Sequence, residues 1–431
     1  MDTIFALSSG AAPAGIAVLR ISGMRAFEAA RALAGTLPGP RVARLSSLRD
    51  PESEDLLDKG IVLLFPGPAS ATGEDIAELH LHGGRAVVRA VERALERLPG
   101  LRRADPGEFT RRALLQGRID LSEAEGLGDL LMAETESQRR VALRSAEGEV
   151  RREVENWTMR VLALSAQVEA LLDHADEADV EDATDSPSAL QAEARSIAAD
   201  IEDVVARPPV ERLRDGIRVV LAGPPNAGKS TLLNALVQRD AAIVSPIAGT
   251  TRDRIEAPVV RDGIAMLLID TAGLADQAGD AIEAIGMART HDAVAGADIL
   301  LGLGEEPPAY QEAAAIWIHA RADQPERRTL PAGRHVSVSA VSGEGVDRLW
   351  DRLTSVAREL LPPLDMIALN QRQRVLCASA AHALGAATCE DDLLLFAEHL
   401  RSARRAFDAV TGRADVEAML DALFSRFCIG K

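Results

Sequence analysis

Cysteine is scarce: the 431 residues contain only Cys377, Cys389 and Cys428, which lack both paired metal-ligand spacing and disulfide-scaffold density. This excludes a disulfide-stapled fold and fits a reducing compartment, so a cytoplasmic protein is expected. No uninterrupted apolar stretch approaches the roughly 18 residues of a membrane span. The opening MDTIFALSSGAAPAGIAVLRISG has no basic head before its apolar part. It reads as a strand, a Gly/Pro turn and a second strand, and no membrane partner is expected. Positive charge is short as well. With 48 Lys and Arg against 66 Asp and Glu, the net charge is −18 and the pI is near 5.0, which excludes a globally cationic nucleic-acid binder. A local basic patch stays open. There is no convincing GxGxxG dinucleotide fingerprint either.

What is present is 47% hydrophobic and 26% charged, ordinary for globular protein, at a length that implies two or three domains. Residues 1 to about 118 mix strand-like runs, at Ile16 to Ile21, Ile61 to Phe65 and Glu78 to His82, with a helical pattern from Arg85 to Leu98. This predicts a compact α+β region. His80 and His82 would share a strand face, but two ligands do not make a metal site, so they read as structural. Residues 121 to 213 are mostly helical, broken between Asp173 and Asp185 by an acidic run that reads as a solvated bend. From Gly216 the texture is that of a layered α/β domain: Ile217 to Leu221, a Gly-rich turn, a helix from Lys229, and a hairpin around Arg261-Asp262-Gly263. Apolar runs follow at 297–303, 314–320 and 335–340, with a closing helix to Leu361. After Pro362-Pro363 the chain is helical again. Flanking helices predict that 216–361 is an insertion, with two separate helical domains as the alternative.

Gly223-Pro224-Pro225-Asn226-Ala227-Gly228-Lys229-Ser230 matches the full GxxxxGK[ST] pattern between a predicted strand and helix. Such a loop wraps phosphate oxygens with backbone N–H groups, Lys229 reaches the β/γ-phosphates, and the Ser230 hydroxyl ligates Mg2+. Asn226, Ala227, Gly228, Lys229, Ser230 and Thr231 are the expected nucleotide contacts. Downstream, Asp270-Thr271-Ala272-Gly273 ends an apolar run, where a carboxylate can hold a metal-bound water. Gly249-Thr250-Thr251-Arg252-Asp253 lies between, and a Thr251 hydroxyl would complete the Mg2+ shell. Ala320-Arg321-Ala322-Asp323 stands where a GTPase carries Asn-Lys-x-Asp. Asp323 can accept from the guanine N1–H and amine, Arg321 can cover the base, and Ala320 implies that one loop-bracing hydrogen bond is absent or replaced. Ser339 and Ala340 follow the next strand as a guanine loop. GTP is favoured over ATP.

Further segments carry a closer resemblance. Leu19-Arg20-Ile21-Ser22-Gly23, Thr72-Gly73-Glu74-Asp75, His82-Gly83-Gly84, Pro106-Gly107-Glu108-Phe109-Thr110 and Phe427-Cys428-Ile429-Gly430-Lys431 resemble the bacterial GTPases that install carboxymethylaminomethyl groups on tRNA uridine. The resemblance implies a multidomain α/β plus α protein. Residues 1–118 would be an α+β dimerisation domain binding 5-formyl- or methylene-tetrahydrofolate. Residues 119–215 plus 362–431 would form a discontinuous helical domain, and 216–361 an inserted Ras-like P-loop GTPase. Family folate residues map onto Arg20, Glu78, Arg118 and Lys431. The resemblance also implies a homodimer, a FAD-bearing partner in a heterooligomer, tRNA as substrate, and hydrolysis stimulated by K+. The K+ would be held by the Asn226 side chain and the backbone around Ser245, Ile247 and Thr250, within Ser245-Pro246-Ile247-Ala248-Gly249-Thr250. Glu283, with Asp280 as the alternative, would position the attacking water. Cys428 reads as a packing residue in preference to a thiolate nucleophile. A function of another class, a regulatory or ribosome-assembly switch, is compatible with the GTPase segment alone.

Overall fold

The computed structural model describes residues 2–173, 187–224, 226–239, 256–271, 295–305, 314–413, 420, 423, 424, 427 and 430. The chain divides into two compact units: Met1–Gly128 with Ser145–Glu155 and Phe407–Lys431, and Asp129–Arg144 with Asn156–Ala406.

The first unit is built on six strands, β1 (Thr3–Leu7), β2 (Ile16–Ser22), β3 (Arg44–Arg49), β4 (Leu56–Phe65), β5 (Ile76–His82) and β6 (Leu101–Arg103). They lie in the order β3-β4-β5-β2-β1-β6, antiparallel except for the β1–β6 pair. Alternation along β2 sets the layers. Ala17, Leu19 and Ile21 are buried with Ala26, Ala29, Ala30 and Leu33 of α1 (Ala26–Ala34) and Val88, Val91, Ala94 and Leu95 of α2 (Arg85–Glu96). Arg20 therefore faces the other side, where Ile4, Ala6, Ala104 and Phe109 form a smaller core. α3 (Glu108–Leu115) and α4 (Leu121–Met132) follow. Leu420, Phe424 and Phe427 from the far end of the chain pack on Leu121 and Ala124 of α4. The predicted α+β region is present, with β3 and β6 in addition to the expected strands.

His80 and His82 do lie on one face of β5, and each has an acidic partner. His80 Nε2 is 3.3 Å from Glu78 Oε2, and His82 Nδ1 is 2.7 Å from Asp58 Oδ1. Among the described residues no cluster of His, Cys, Asp and Glu could hold a metal, and no helix is long and apolar enough to cross a membrane. The predicted long helical stretch is three helices, α4, α5 (Glu136–Ala146) and α6 (Glu149–Asp173). The acidic run lies almost wholly outside the described residues.

In the second unit α7 (Pro187–Ala206) and α8 (Glu211–Arg214) lead into a six-stranded sheet: β7 (Ile217–Ala222), β8 (Glu256–Arg261), β9 (Ile264–Asp270), β10 (Ile299–Gly302), β11 (Ala314–Ala320) and β12 (Val336–Val338). The order is β12-β11-β10-β7-β9-β8, all parallel except the β8–β9 hairpin. That hairpin turns on Asp262 and Gly263, both at positive φ (50° and 77°), as a two-residue turn that matches strand twist requires. β7 is central and buried on both faces, Ile217, Val219 and Leu221 on one and Val220 on the other, which is why its sequence is apolar apart from Arg218. α9 (Lys229–Arg239) buries Leu232, Leu233 and Leu236 against the first face. α10 (Val346–Leu360) adds Leu349, Trp350 and Leu353 at helical spacing. Beyond it come α11 (Gln371–Ala387) and α12 (Leu393–Thr411). α11 opens with a reciprocal capping box: Asn370 Oδ1 accepts from Gln373 N at 2.9 Å, and Gln373 Oε1 from Asn370 N at 3.1 Å.

Candidate functional site

The sheet of the second unit reverses its strand order at β7, the place where an open α/β sheet leaves a crevice at its carboxyl edge. The loop Gly223 to Gly228 leaves β7 here and runs into the first turn of α9. Gly223 passes so close to Leu303 that a Cβ would lie 3.2 Å from the Leu303 Cβ. Asn226 has φ 61°, the left-handed region that asparagine tolerates better than most side chains. Lys229 is buried, 6% exposed, and its ammonium donates to the carbonyls of Gly223 at 2.9 Å and Pro224 at 3.0 Å. The only charge inside the loop is therefore held at its mouth by two main-chain oxygens that a phosphate group can replace.

Two further groups converge from different elements. The Ser230 hydroxyl, from the start of α9, donates to Asp270 Oδ2, at the end of β9. Beside them Thr271 Oγ1 donates to Leu221 O at 2.8 Å, pinning the end of β9 to β7. A hydroxyl and a carboxylate brought together next to a phosphate loop are the hard oxygen donors that Mg2+ prefers.

A cavity of about 150 Å3 opens beside this loop, lined by Ala227, Gly228, Thr231, Ala320, Arg321, Asp323, Ala340 and Val341. Asp323 is oriented by Ser339, whose hydroxyl donates to Asp323 Oδ1 at 2.6 Å and accepts from Ser342 N at 3.1 Å. Ser339 is fully buried, and its backbone is closed into a tight turn by Ser339 N to Glu344 O and Gly343 N to Ser339 O, each 2.9 Å. A carboxylate fixed in this way presents an acceptor edge to the cavity.

The bracing that Ala320 does not supply comes from two arginines. Arg321, at φ 58°, donates from its guanidinium to the carbonyl of Asn226, tying the base loop to the phosphate loop. Arg327 donates from Nε to Ala320 O at 2.9 Å, and its own carbonyl is 2.8 Å from His319 Nε2. Arg321 thus has a bracing contact besides the expected covering role. Arg327 was not legible as a site residue, because Gln324-Pro325-Glu326-Arg327-Arg328 reads as ordinary polar surface.

Asn226, Ala227, Gly228, Lys229, Ser230, Thr231, Asp270, Thr271, Asp323, Ser339 and Ala340 are accordingly grouped around one crevice. Ser245, Pro246, Ile247, Ala248, Gly249, Thr250, Thr251, Ala272, Gly273, Asp280 and Glu283 lie outside the described residues, as do Cys428 and Lys431.

In the first unit Arg20 and Glu78 are directly paired across β2 and β5. Arg20 Nε and Nη2 donate to Glu78 Oε1 at 3.0 and 2.8 Å, and Arg20 lies 5.8 Å from the Phe109 ring centroid. Arg118 is exposed beside Gly73, its Cγ 3.3 Å from where a Cβ on Gly73 would stand. Three of the segments that carried the resemblance, those with Ser22, Glu74 and Glu108, meet around a residue the sequence did not single out, Arg112, which is 6% exposed. Its guanidinium donates to Glu74 Oε2 at 3.0 Å, Glu108 Oε1 at 2.9 Å, Asp2 Oδ1 at 2.8 Å and Asp2 O at 2.8 Å. Ser22 Oγ completes the cluster by donating to Glu74 Oε2 at 2.8 Å. Burial alone would raise the Glu108 carboxyl, but hydrogen bonds from Arg102, the Asp105 amide and Arg112 outweigh it and hold it below the usual carboxylate range. Asp2 is lowered in the same way, burial being outweighed by Arg102 and Arg112. The chain's end reaches this unit too: Ser8 Oγ donates to Gly430 O at 2.7 Å. Cys377, in contrast, is buried within α11, and burial pushes its thiol up to about 12, so it is an inert packing group.

Residues 3–118 match a family model described as "GTP-binding protein TrmE N-terminus", and residues 121–428 match one described as "MnmE helical domain". The "tRNA modification GTPase MnmE" of Erythrobacter litoralis (strain HTCC2594) is 56% identical over 432 residues, covering 100% of both chains. The protein of the same description from Rhizorhabdus wittichii is 56% identical over 433 residues, covering 100% of this chain and 97% of the relative. That of Zymomonas mobilis subsp. mobilis is 51% identical over 436 residues, again covering 100% of both. With the phosphate loop, the Ser230–Asp270 pair and the Asp323 cavity in place, similarity over the full length means that the chain belongs to the MnmE family of tRNA modification GTPases.

Proposed function

We propose that this chain hydrolyses GTP within the machinery that modifies carbon-5 of the tRNA wobble uridine, acting in the cytoplasm as a homodimer with a FAD-dependent partner in a heterooligomer. The observation that carries the nucleotide reading is the Asp323 carboxylate, fixed by Ser339 at a cavity that borders the phosphate loop. Guanine offers two N–H donors to such an acceptor edge, whereas adenine does not in the same geometry.

The residues then divide the work. Lys229 exchanges its two carbonyl partners for phosphate oxygens and neutralises them, and the loop amides and the start of α9 cradle the same group. Ser230 and Asp270 would hold Mg2+, Asp270 through a water, with Thr251 completing the shell. Bound there, Mg2+ supplies charge neutralisation at the β- and γ-oxygens. Asn226 would offer a side-chain oxygen to K+, with Ser245, Ile247 and Thr250 supplying main-chain oxygens. Glu283 would position the attacking water.

In this reading 1–118 is the dimerisation and folate domain, 119–215 plus 362–431 the helical domain, and 216–361 the inserted GTPase. The Arg20–Glu78 pair lies on the sheet face opposite α1 and α2 and keeps some exposure, 24% and 13% of the side chains. It offers the donor and acceptor groups that a 5-formyl- or methylene-tetrahydrofolate requires, with Arg118 and Lys431 as further cations. The decisive experiment is analysis of wobble uridines in a strain lacking the chain, followed by reconstitution with the flavoprotein and tRNA while phosphate release and uridine modification are followed together. Normal wobble uridines in that strain refute the reading in favour of a regulatory or ribosome-assembly switch.

A further inference from the structure

The chain carries a net charge of −18, yet one helix of the first unit presents an uncompensated line of positive charge. Arg85, Arg89 and Arg93 follow one another at four-residue spacing along α2, and all three are exposed. The opposite side of the helix, Val88, Val91, Ala94 and Leu95, is buried in the core, so the arginines are fixed on the outward side. Four residues along a helix rise about 6 Å, a step of the same order as that between successive phosphates on one nucleic-acid strand.

The carboxylates on the same helix are already used. Glu92 and Glu96 both pair with Arg103, at 3.1 and 2.5 Å. Among the described residues no carboxylate lies within ion-pair distance of Arg85, Arg89 or Arg93; Arg85 Nε donates only to the neutral carbonyl of Ala12, at 3.1 Å. The helix also starts on Gly84 with no acidic residue in its first turn, so its positive end adds to the same field. Three exposed arginines in line, with no carboxylate beside them, form a surface complementary to an anionic partner with a repeating charge.

We propose that the outward face of α2 is a contact surface for the phosphate backbone of the substrate tRNA, an inference that rests on the tRNA-modification reading above. Contacts of this type are independent of base sequence and position the RNA without choosing it. They also place part of the RNA surface on this chain, so that it is not supplied by the flavoprotein alone.

The test compares the full-length chain with R89Q/R93Q and R89K/R93K, measuring affinity for fluorescent tRNA at salt concentrations from about 50 to about 200 mM. Each phosphate contact contributes roughly 0.7 to 0.9 to the salt slope. The glutamine variant is therefore expected to bind more weakly at low salt and to lose about tenfold less affinity than wild type across that range. The lysine variant should keep most of the affinity and slope, and GTP turnover should match wild type in both, since neither residue belongs to the nucleotide site. Equal affinity and slope in wild type and R89Q/R93Q overturn the proposal, as does failure of lysine to restore binding. Intact tRNA affinity with loss of flavoprotein capture also overturns it and assigns the surface to protein. If a strain lacking the chain has normal wobble uridines, the underlying reading has failed; if modification is lost there but R89Q/R93Q binds tRNA normally, only the surface assignment has failed.

Discussion

Replacing Asn226 separately by glycine and by alanine distinguishes two roles that one substitution would merge. The residue has φ 61°, where a side chain without asparagine's local hydrogen bonding costs about 1–2 kcal/mol. Glycine accepts that conformation without strain. Its main-chain carbonyl, which receives the Arg321 guanidinium, persists in both variants. Asn226→Ala therefore combines loop strain with loss of the side-chain oxygen, whereas Asn226→Gly removes the oxygen alone. If that oxygen holds K+ beside the phosphates, its loss is comparable to removing one preorganised electrostatic contact at a reacting group, about 3 kcal/mol or roughly a hundredfold in turnover. The assay is GTP turnover in K+ and in Na+ at equal ionic strength. Wild type is expected to be much faster in K+, and Asn226→Gly should bring the K+ rate down to the Na+ rate. Asn226→Ala should show the same loss of ion preference and, through strain, a lower rate in both salts. Retention of the wild-type K+/Na+ ratio by the glycine variant would refute the cation assignment and leave Asn226 as a turn residue.

Three other outcomes follow from the geometry. Asp323→Asn turns one acceptor of the base edge into a donor, so GTP turnover at limiting nucleotide should fall by at least tenfold while xanthosine triphosphate becomes a better substrate; unchanged preference would remove Asp323 from base recognition. Arg112→Met leaves the largely buried Glu74 without its cation and Glu108 with Arg102 as its remaining one, and should destabilise the first unit by about 3 kcal/mol in urea unfolding at pH 7. Because Asp2 and Glu108 have lowered folded values, their stabilisation is present above the ordinary carboxylate range and is lost as pH falls through those folded values. The gap between wild type and the variant should accordingly narrow below about pH 4, and a pH-independent gap would count against the ion cluster as its cause. Gly430→Ala places a Cβ 2.0 Å from Leu7 O at φ 95°, so faster hydrogen exchange is expected in β1 and at residue 430; unaltered protection would show that the contact bears no load.

Much of the layout was legible because the signals were local. The apolar run of β7, the hairpin at Asp262-Gly263 and the phosphate loop each declare themselves within a few residues. The edge strand β3, RLSSLR, did not: it is mostly exposed, alternates weakly, and exists because it pairs with an extension of β4 down to Leu56. Arg112 and Arg327 were missed for a related reason. Nothing near them in sequence distinguishes them from surface arginines, and their partners, Asp2 and Glu74 for one and Ala320 for the other, are assigned only by the tertiary fold. The same limit applies in reverse to Arg20 and Glu78, whose direct pairing depends on the β2–β5 register.

The docking of Gly430 at Ser8 also orders events during synthesis. The sheet of the first unit is made before the second unit, but its α4 face is covered by Leu420, Phe424 and Phe427, which emerge only after all of the second unit has been made. Until then β1 lacks its closing contact and Leu121 lacks its cover, so the nascent N-terminal unit carries exposed apolar surface on α4 through most of translation. A chain cut short before residue 420 would keep its phosphate loop and its Asp323 cavity while leaving that surface open, and so would be marked for chaperones or proteases by its N-terminal half.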